Sequence, residues 1–547
     1  MLKLTRRGRV WAFVARMFSL AVFFAAASAN DSPASTYVVH SERWTEADER
    51  DYERFIAAIG ESDCGTLNAC LHSSANPFAA TDPPSRRFES DCADLPYVLR
   101  FYFAWKRGLP FSYAAAMTPR DGSADDIRYS RNGNRVISRI DVPSGRFTGM
   151  TIIERIRADI SSATYRVHPD LDGTDLYSPA IRPGSIRPGT MVYDPAGHVA
   201  LVYRVDPDGR VHSFDAHTDF TLTQMTFDVR FARMRPSQGA GFKNWRPIRL
   251  VGAERAPDDS WRGGHIEVAR NRDIADFSTE QFFGTGKRPA DDDWASGHFT
   301  VNGEALDFYD FVRARLAGGS LVFHPVAEVA EMTDSLCNDL QYRAAAVDLG
   351  RDLAFRPHPD RLPRNIYGTE GDWEMFSTPS RDARLKTAFK YLRDTVQRFV
   401  EMDRHGDKQH LAYMGDDLAA DLLKAYRRTA NACTIQYRRS DGSVTALSFE
   451  DARTRLFALS FDPYLCAERR WGAIDPTELA SCRDGDIKRA WYDAEQDLRN
   501  QIDRTYDARM DFTLAELRTP GPGKGTTAPP DTDVGGYLVR VGKQVGN

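Results

Sequence analysis

The spacing of apolar positions divides the chain into two kinds of sequence. Between residues 186 and 216 they come in short runs cut by turn signals. IRPGTMVYD, HVALVYRV and RVHSFDA read as three strands, joined by the turns DPAG and DPDG. GFKNWRPIRLVG, from Gly241, reads as a closing strand. After residue 300 the period lengthens to that of a helix. The stretches 306–316, 326–349, 380–403, 415–431 and 485–515 carry apolar stripes with dense charge on the other side. A hairpin around Ser440-Asp441-Gly442 interrupts them. Near the start, Thr45 caps a helix to about Ile59, and a second helix opens at Cys92 (CADLPYVLRFYFAWKR). Residues 108–185 are rich in turn signals such as RNGN and DVPSG. This pattern predicts an α+β class, with a helix packed on an antiparallel β-meander and a mainly α-helical region after it. The expected divisions are an export signal over 1–29, an α+β domain over 30–255, a mainly helical domain over 256–516 and a Pro/Gly-rich tail over 517–547. The 256–264 stretch, APDDSWRGG, suggests the first boundary, and YLVRV within the tail reads as a short strand.

The first 29 residues change the picture of where the protein works. Lys3, Arg6, Arg7, Arg9 and Arg16 precede or enter a short apolar run, MFSLAVFFAAA, and Ala27-Ser28-Ala29 offers a cleavage site. The run is too short to span a bilayer, and no other stretch is long and apolar enough. A periplasmic or secreted protein follows, without stable membrane insertion after cleavage. Removing the five basic residues of the signal takes the formal charge from −5 to −10. With no basic patch, a nucleic-acid partner is not expected.

Seven cysteines bear on the same point, because thiols pair in oxidising compartments. An odd count leaves one over. Cys64 and Cys70 bracket a short loop, Cys466 and Cys482 a longer one, and Cys337 and Cys433 can staple two helical segments. Cys92 is then the unpaired thiol. It lies where a loop meets an apolar helix, whose N-terminal N–H groups and dipole favour a thiolate.

A nucleophilic cysteine needs a base, and the base needs an orienting partner. His198 opens the second meander strand. If the 206–209 turn sets the pairing, His198 lies opposite His217 and Ala200 opposite Asp215. His198, Ser213, Asp215 and His217 then share a face, with His212 on the other. Either Asp215 or His217 can orient His198. The acidic 170–175 segment reads as a polar turn rather than a calcium loop, both His-Pro-Asp tripeptides read as loops, and the charge on 380–403 reads as a solvated face. No metal or organic cofactor is called for.

Two blocks carry a resemblance. ESDCADLPYVLRFYFAW resembles the cysteine-bearing helix start of NlpC-like and CHAP-like papain-fold amidases, and IRPGTMVYDPAGHVALVYRVDPDGRVHSFDAH resembles their following strands. It covers about residues 90–220. It implies a papain-like cysteine hydrolase domain with Cys92 as nucleophile and His198 as base, Asp215 and His217 matching a polar pair on the third strand. It further implies amide cleavage through a thioester, often on peptidoglycan stem peptides. Asp94, Pro96, His217 and the long 108–185 insertion depart from the family pattern. The alternatives are a non-catalytic envelope protein keeping the fold for recognition, and an acyltransferase using the same thiol. The partner of the helical region is not legible.

Overall fold

A computed structural model of the protein describes residues 35–62, 64–288, 294, 297–364, 371–376, 379–502 and 509–545. The export signal expected over residues 1–29 lies outside them. The described chain is α+β, with all its named strands pairing antiparallel. At its centre is a six-stranded sheet. Its strands are β1 (Leu176–Tyr177), β2 (Met191–Asp194), β3 (His198–Val205), β4 (Val211–Ala216), β5 (Leu222–Thr226) and β6 (Gly241–Trp245), in the order β1-β6-β2-β3-β4-β5.

The apolar runs of β2 and β3 have a simple cause: both faces of the sheet are covered. Met191, Tyr193, Val199, Leu201 and Phe214 point into one core. Val192, Ala200, Val202, Val211 and Phe242 point into another. Alternation of side chains along a strand divides them in this way. The first core is filled by α1 (Glu46–Gly60) and α2 (Leu95–Arg107). Thr45 and Asp48 start α1 with a reciprocal capping box. The second core belongs to the helices of the C-terminal half: α3 (Pro325–Leu349), α4 (Pro379–Arg404), α5 (Leu418–Ala432) and α6 (Val534–Val545). The helical half therefore uses the meander as one wall of its own core.

Four expectations are corrected. The strand from Gly241 is two strands, because Pro247 has no N–H to continue a ladder. Its second part, Ile248–Arg255, pairs instead with Trp261–Val268, Arg255 lying opposite Trp261. The boundary near residue 255 thus falls inside a hairpin, with Leu250 and Trp261 packed in the first core. The 485–515 helix breaks after Asp486–Ala494 and Gln496–Asn500. Arg499 turns inward and donates to the Tyr492 carbonyl, an acceptor a continuous helix would use for itself. Finally, YLVRV is helical. Val534, Leu538 and Val541 are buried at helical spacing, and the Asp533 side chain caps Gly536 N–H. The 440–442 hairpin forms between Thr434–Arg438 and Val444–Ser448.

Cys64–Cys70, Cys337–Cys433 and Cys466–Cys482 are disulfides, and Cys92 is a free thiol. Three disulfides fit a protein that matures in an oxidising compartment. No helix among the described residues is long and apolar enough to cross a membrane.

Candidate functional site

Cys92 stands in the turn just ahead of α2. Asp91 makes that turn: its side chain accepts from Ala93 and Asp94 N–H, while the Asp94 carboxylate accepts from Asp91 N–H at 3.2 Å. The arrangement is a capping box built from two acids. Burial, then the neighbouring Asp91 charge, push the Asp94 carboxyl up to about 8, against the hydrogen bonds it accepts from Ser90 and Asp91 N–H. The Cys92 thiol lies 3.7 Å from the carbonyl oxygen of Gly197, the residue before His198. Gly197 has φ 91°, and a Cβ there would crowd the Tyr129 hydroxyl at 3.2 Å. Glycine lets the β2–β3 turn close against the cysteine.

His198 then points to the face of β3 that carries Ala200 and Val202. Opposite, Val202 pairs with Ser213 and Leu201 with Phe214, so Asp215 falls on the same face. His198 Nε2 and Asp215 Oδ2 are 2.5 Å apart, in ion-pair contact, and neither has a regular hydrogen bond among the described residues. The turn itself departs from the expected pairing, Val205 lying opposite Val211, and the bulge at Tyr203 shifts the ladder by one residue before the site, so His198 and Asp215 still share a face. His212 faces the other way and meets Asp206 at 2.7 Å.

Asp215 is wholly buried. Burial alone would raise its carboxyl, but His217 and His198, with the Thr223 hydroxyl 2.6 Å from Oδ1, outweigh burial and hold it at about 2. His217 does not reach His198. Its Nε2 is 2.9 Å from Thr223 Oγ1 and 3.9 Å from Asp215, and its ring stacks on Tyr342 of α3 at 3.9 Å. Burial lowers His217 to about 4, so it is neutral near pH 7. Of the two candidates for orienting His198, Asp215 is the one in contact.

All four residues line one cleft of about 200 Å³. Its other wall comes from the helical half: Asp339, Tyr342 and Arg343 of α3, and Arg381, Asp382 and Arg384 of α4. Arg384 reaches Asp194 at the end of β2 at 3.1 Å. Asp382 and Arg343 form a buried pair at 3.0 Å. The sequence does not announce this wall. The charge of α4 looks like a solvated face, but Asp382, Lys386 and Arg393 are all buried. A period of 3.6 reports which residues share a side, not which side meets another element.

One expected feature of the thiol is overturned. The residue is half-buried and lines the cleft. Burial, with Asp91 and Asp215 nearby, pushes the thiol well above its usual range, against the Val199 N–H contact and Arg384. The helix terminus does not make it acidic. Nor are the Ala93 and Asp94 N–H groups open to an oxyanion, because Asp91 occupies them.

No known family model matches the chain, and neither a curated protein nor a solved structure matches it.

Proposed function

We propose that this protein is an exported, papain-like cysteine hydrolase that cleaves amide bonds, with periplasmic cell-wall peptides as the substrate class to try first. The observation that carries the reading is the meeting of a free thiol with a His–Asp pair in one cleft. A thiol that rests neutral needs its proton removed as it reacts. His198 takes that proton while Sγ of Cys92 bonds to the carbonyl carbon. The tetrahedral adduct collapses, the C–N bond breaks, and His198 returns the proton to the departing amine. Water, activated by the same imidazole, then hydrolyses the thioester to a carboxylic acid and frees the thiol. Asp215 holds the imidazole and stabilises its charged form. With Asp91 on the Ala93 and Asp94 N–H groups, Arg384 is the cation whose charge reaches the sulfur.

The test is amine release from a stem-peptide mixture by the signal-free protein, with hydroxylamine added to trap the thioester as a hydroxamate. Release and hydroxamate are expected from the wild type and absent in Cys92→Ala. No release above the Cys92→Ala background, with Cys92 inert to iodoacetamide, overturns the reading.

The raised thiol and the occupied N–H groups favour a second reading, a non-catalytic peptide-binding cleft. It predicts equal peptide binding by the wild type and Cys92→Ala, without turnover.

A further inference from the structure

A second cluster lies outside the cleft. His358 follows the short turn Arg351–Phe355, Asp462 lies in a loop, and Glu495 sits at the break between Asp486–Ala494 and Gln496–Asn500. All three side chains have 0% exposure. Their ligand-capable atoms lie within 4.8 Å of one another.

The tautomer of His358 is the informative detail. Its Nδ1 is 2.5 Å from the Pro359 carbonyl oxygen, which can only accept, so Nδ1 carries a hydrogen. In a neutral ring Nε2 then holds a lone pair. Facing it at 2.9 Å is a carboxylate oxygen of Asp462, another acceptor. Glu495 adds a second carboxylate. The Ser460 hydroxyl is near, but neither Glu495 oxygen has a hydrogen bond of regular geometry. Arg499 comes to 3.7 Å, yet its guanidinium donates to the Tyr492 carbonyl and to Gln496. Trp491 lies flat on His358 at 4.3 Å, and Tyr464 and Trp373 stand edge-on. Three acceptors thus converge in a dry, aromatic-walled space.

The geometry points to a structural divalent-metal site, formed by His358 Nε2, Asp462 and Glu495 and suited to Zn²⁺. An Nδ1–H bond to a backbone carbonyl is the outer contact that metal-bound histidines commonly make. With metal–ligand bonds of ~2.0–2.1 Å, two ligands of a tetrahedral ion stand ~3.3–3.4 Å apart, so the 2.9 Å pair opens by a few tenths of an ångström to seat Zn²⁺. Glu495 can fill a fourth position with its second oxygen. Such an ion ties three segments of the helical half that no disulfide joins to one another. The rival is a doubly protonated His358 in a plain ion pair with Asp462.

The test dialyses the full signal-free protein against EDTA, then titrates Zn²⁺ alone by calorimetry and follows thermal unfolding. One equivalent of tight binding and a higher Tm are expected, unchanged in Cys92→Ala and lost in Glu495→Gln and His358→Gln. Co²⁺ in the wild type should give visible bands without a thiolate charge-transfer band, a readout that needs no variant. Absence of stoichiometric binding by the wild type overturns the site. So does binding that survives in folded Glu495→Gln and His358→Gln but vanishes in Cys92→Ala or His198→Ala.

Discussion

Two of the histidine–carboxylate pairs, at 2.5 and 2.9 Å, have opposite settings. His198 and Asp215 stand at the wall of a cleft; His358 and Asp462 are sealed among aromatic rings. The carboxylates differ in their company. Asp215 is held by a hydroxyl and two imidazoles, so it stays ionised. Asp462 shares its space with a second acid. The imidazoles differ at the other nitrogen: His358 Nδ1 is tied to a carbonyl, whereas that of His198 has no hydrogen bond among the described residues. A ring with one nitrogen open in a cleft can shuttle a proton. A ring with that nitrogen tied down can only hold something still.

Four experiments separate the pairs. The largest effect is expected on turnover. His198→Ala should lower kcat/KM for any amide substrate by at least ~10³-fold, and Asp215→Asn by ~10²–10⁴-fold, while His358→Gln leaves kcat per folded molecule within a few-fold. Stopped assays on samples matched by circular dichroism would check this. The next largest effect is on stability. Arg343 donates to Asp382, in the cleft wall, and to the carbonyl of Ser460, beside the second cluster. Arg343→Met strands a buried carboxylate and should cost ~3–5 kcal/mol in urea unfolding, disturbing both regions together. If only one region responds, they are not mechanically joined.

Acid gives the third. His217 titrates at about 4 when folded, against an ordinary 6.5, so the folded state holds its proton less tightly. The contribution is complete above about pH 6.5 and is lost as pH falls towards 4, by ~3 kcal/mol. Asp215, held at about 2 against 3.8, adds a loss below pH 4. Unfolding free energies measured from pH 7 to 4 should show the first slope, and His217→Asn should flatten it. The smallest effect concerns Tyr342→Ala. Losing the stack on His217 should cost ~1 kcal/mol beyond the buried area and raise the His217 pKa, seen by NMR titration, without touching the second cluster.

The meander, the cysteine pairing and most helices could be read from the chain, because side-chain period is local; the face shared by His198 and Asp215 also depends on a bulge at Tyr203 that no turn signal announces. The cleft wall could not be read. Tyr342, Arg381 and Arg384 sit on helices whose stripes say nothing about a sheet over a hundred residues earlier. The raised thiol of Cys92 is hidden for a related reason: a helix terminus is visible in sequence, while burial depends on everything packed near it. His358 does lie in a loop, as its tripeptide suggests, but no spacing in the chain links it to Asp462 and Glu495.

Cys337 lies within two turns of Asp339, Tyr342 and Arg343 on α3, and its disulfide to Cys433 closes a loop of 96 residues. Closing a loop of that size removes roughly 4–5 kcal/mol of disorder from the unfolded chain. The wall of the cleft is therefore set in place by an oxidation event. A newly made chain held among reduced thiols has its cysteine, histidine and aspartate but lacks the fastening of the surface that faces them. Redox history thus times the cleft: the cysteine, histidine and aspartate stand in the N-terminal half from the start, and the fastening of their enclosure arrives with the disulfide.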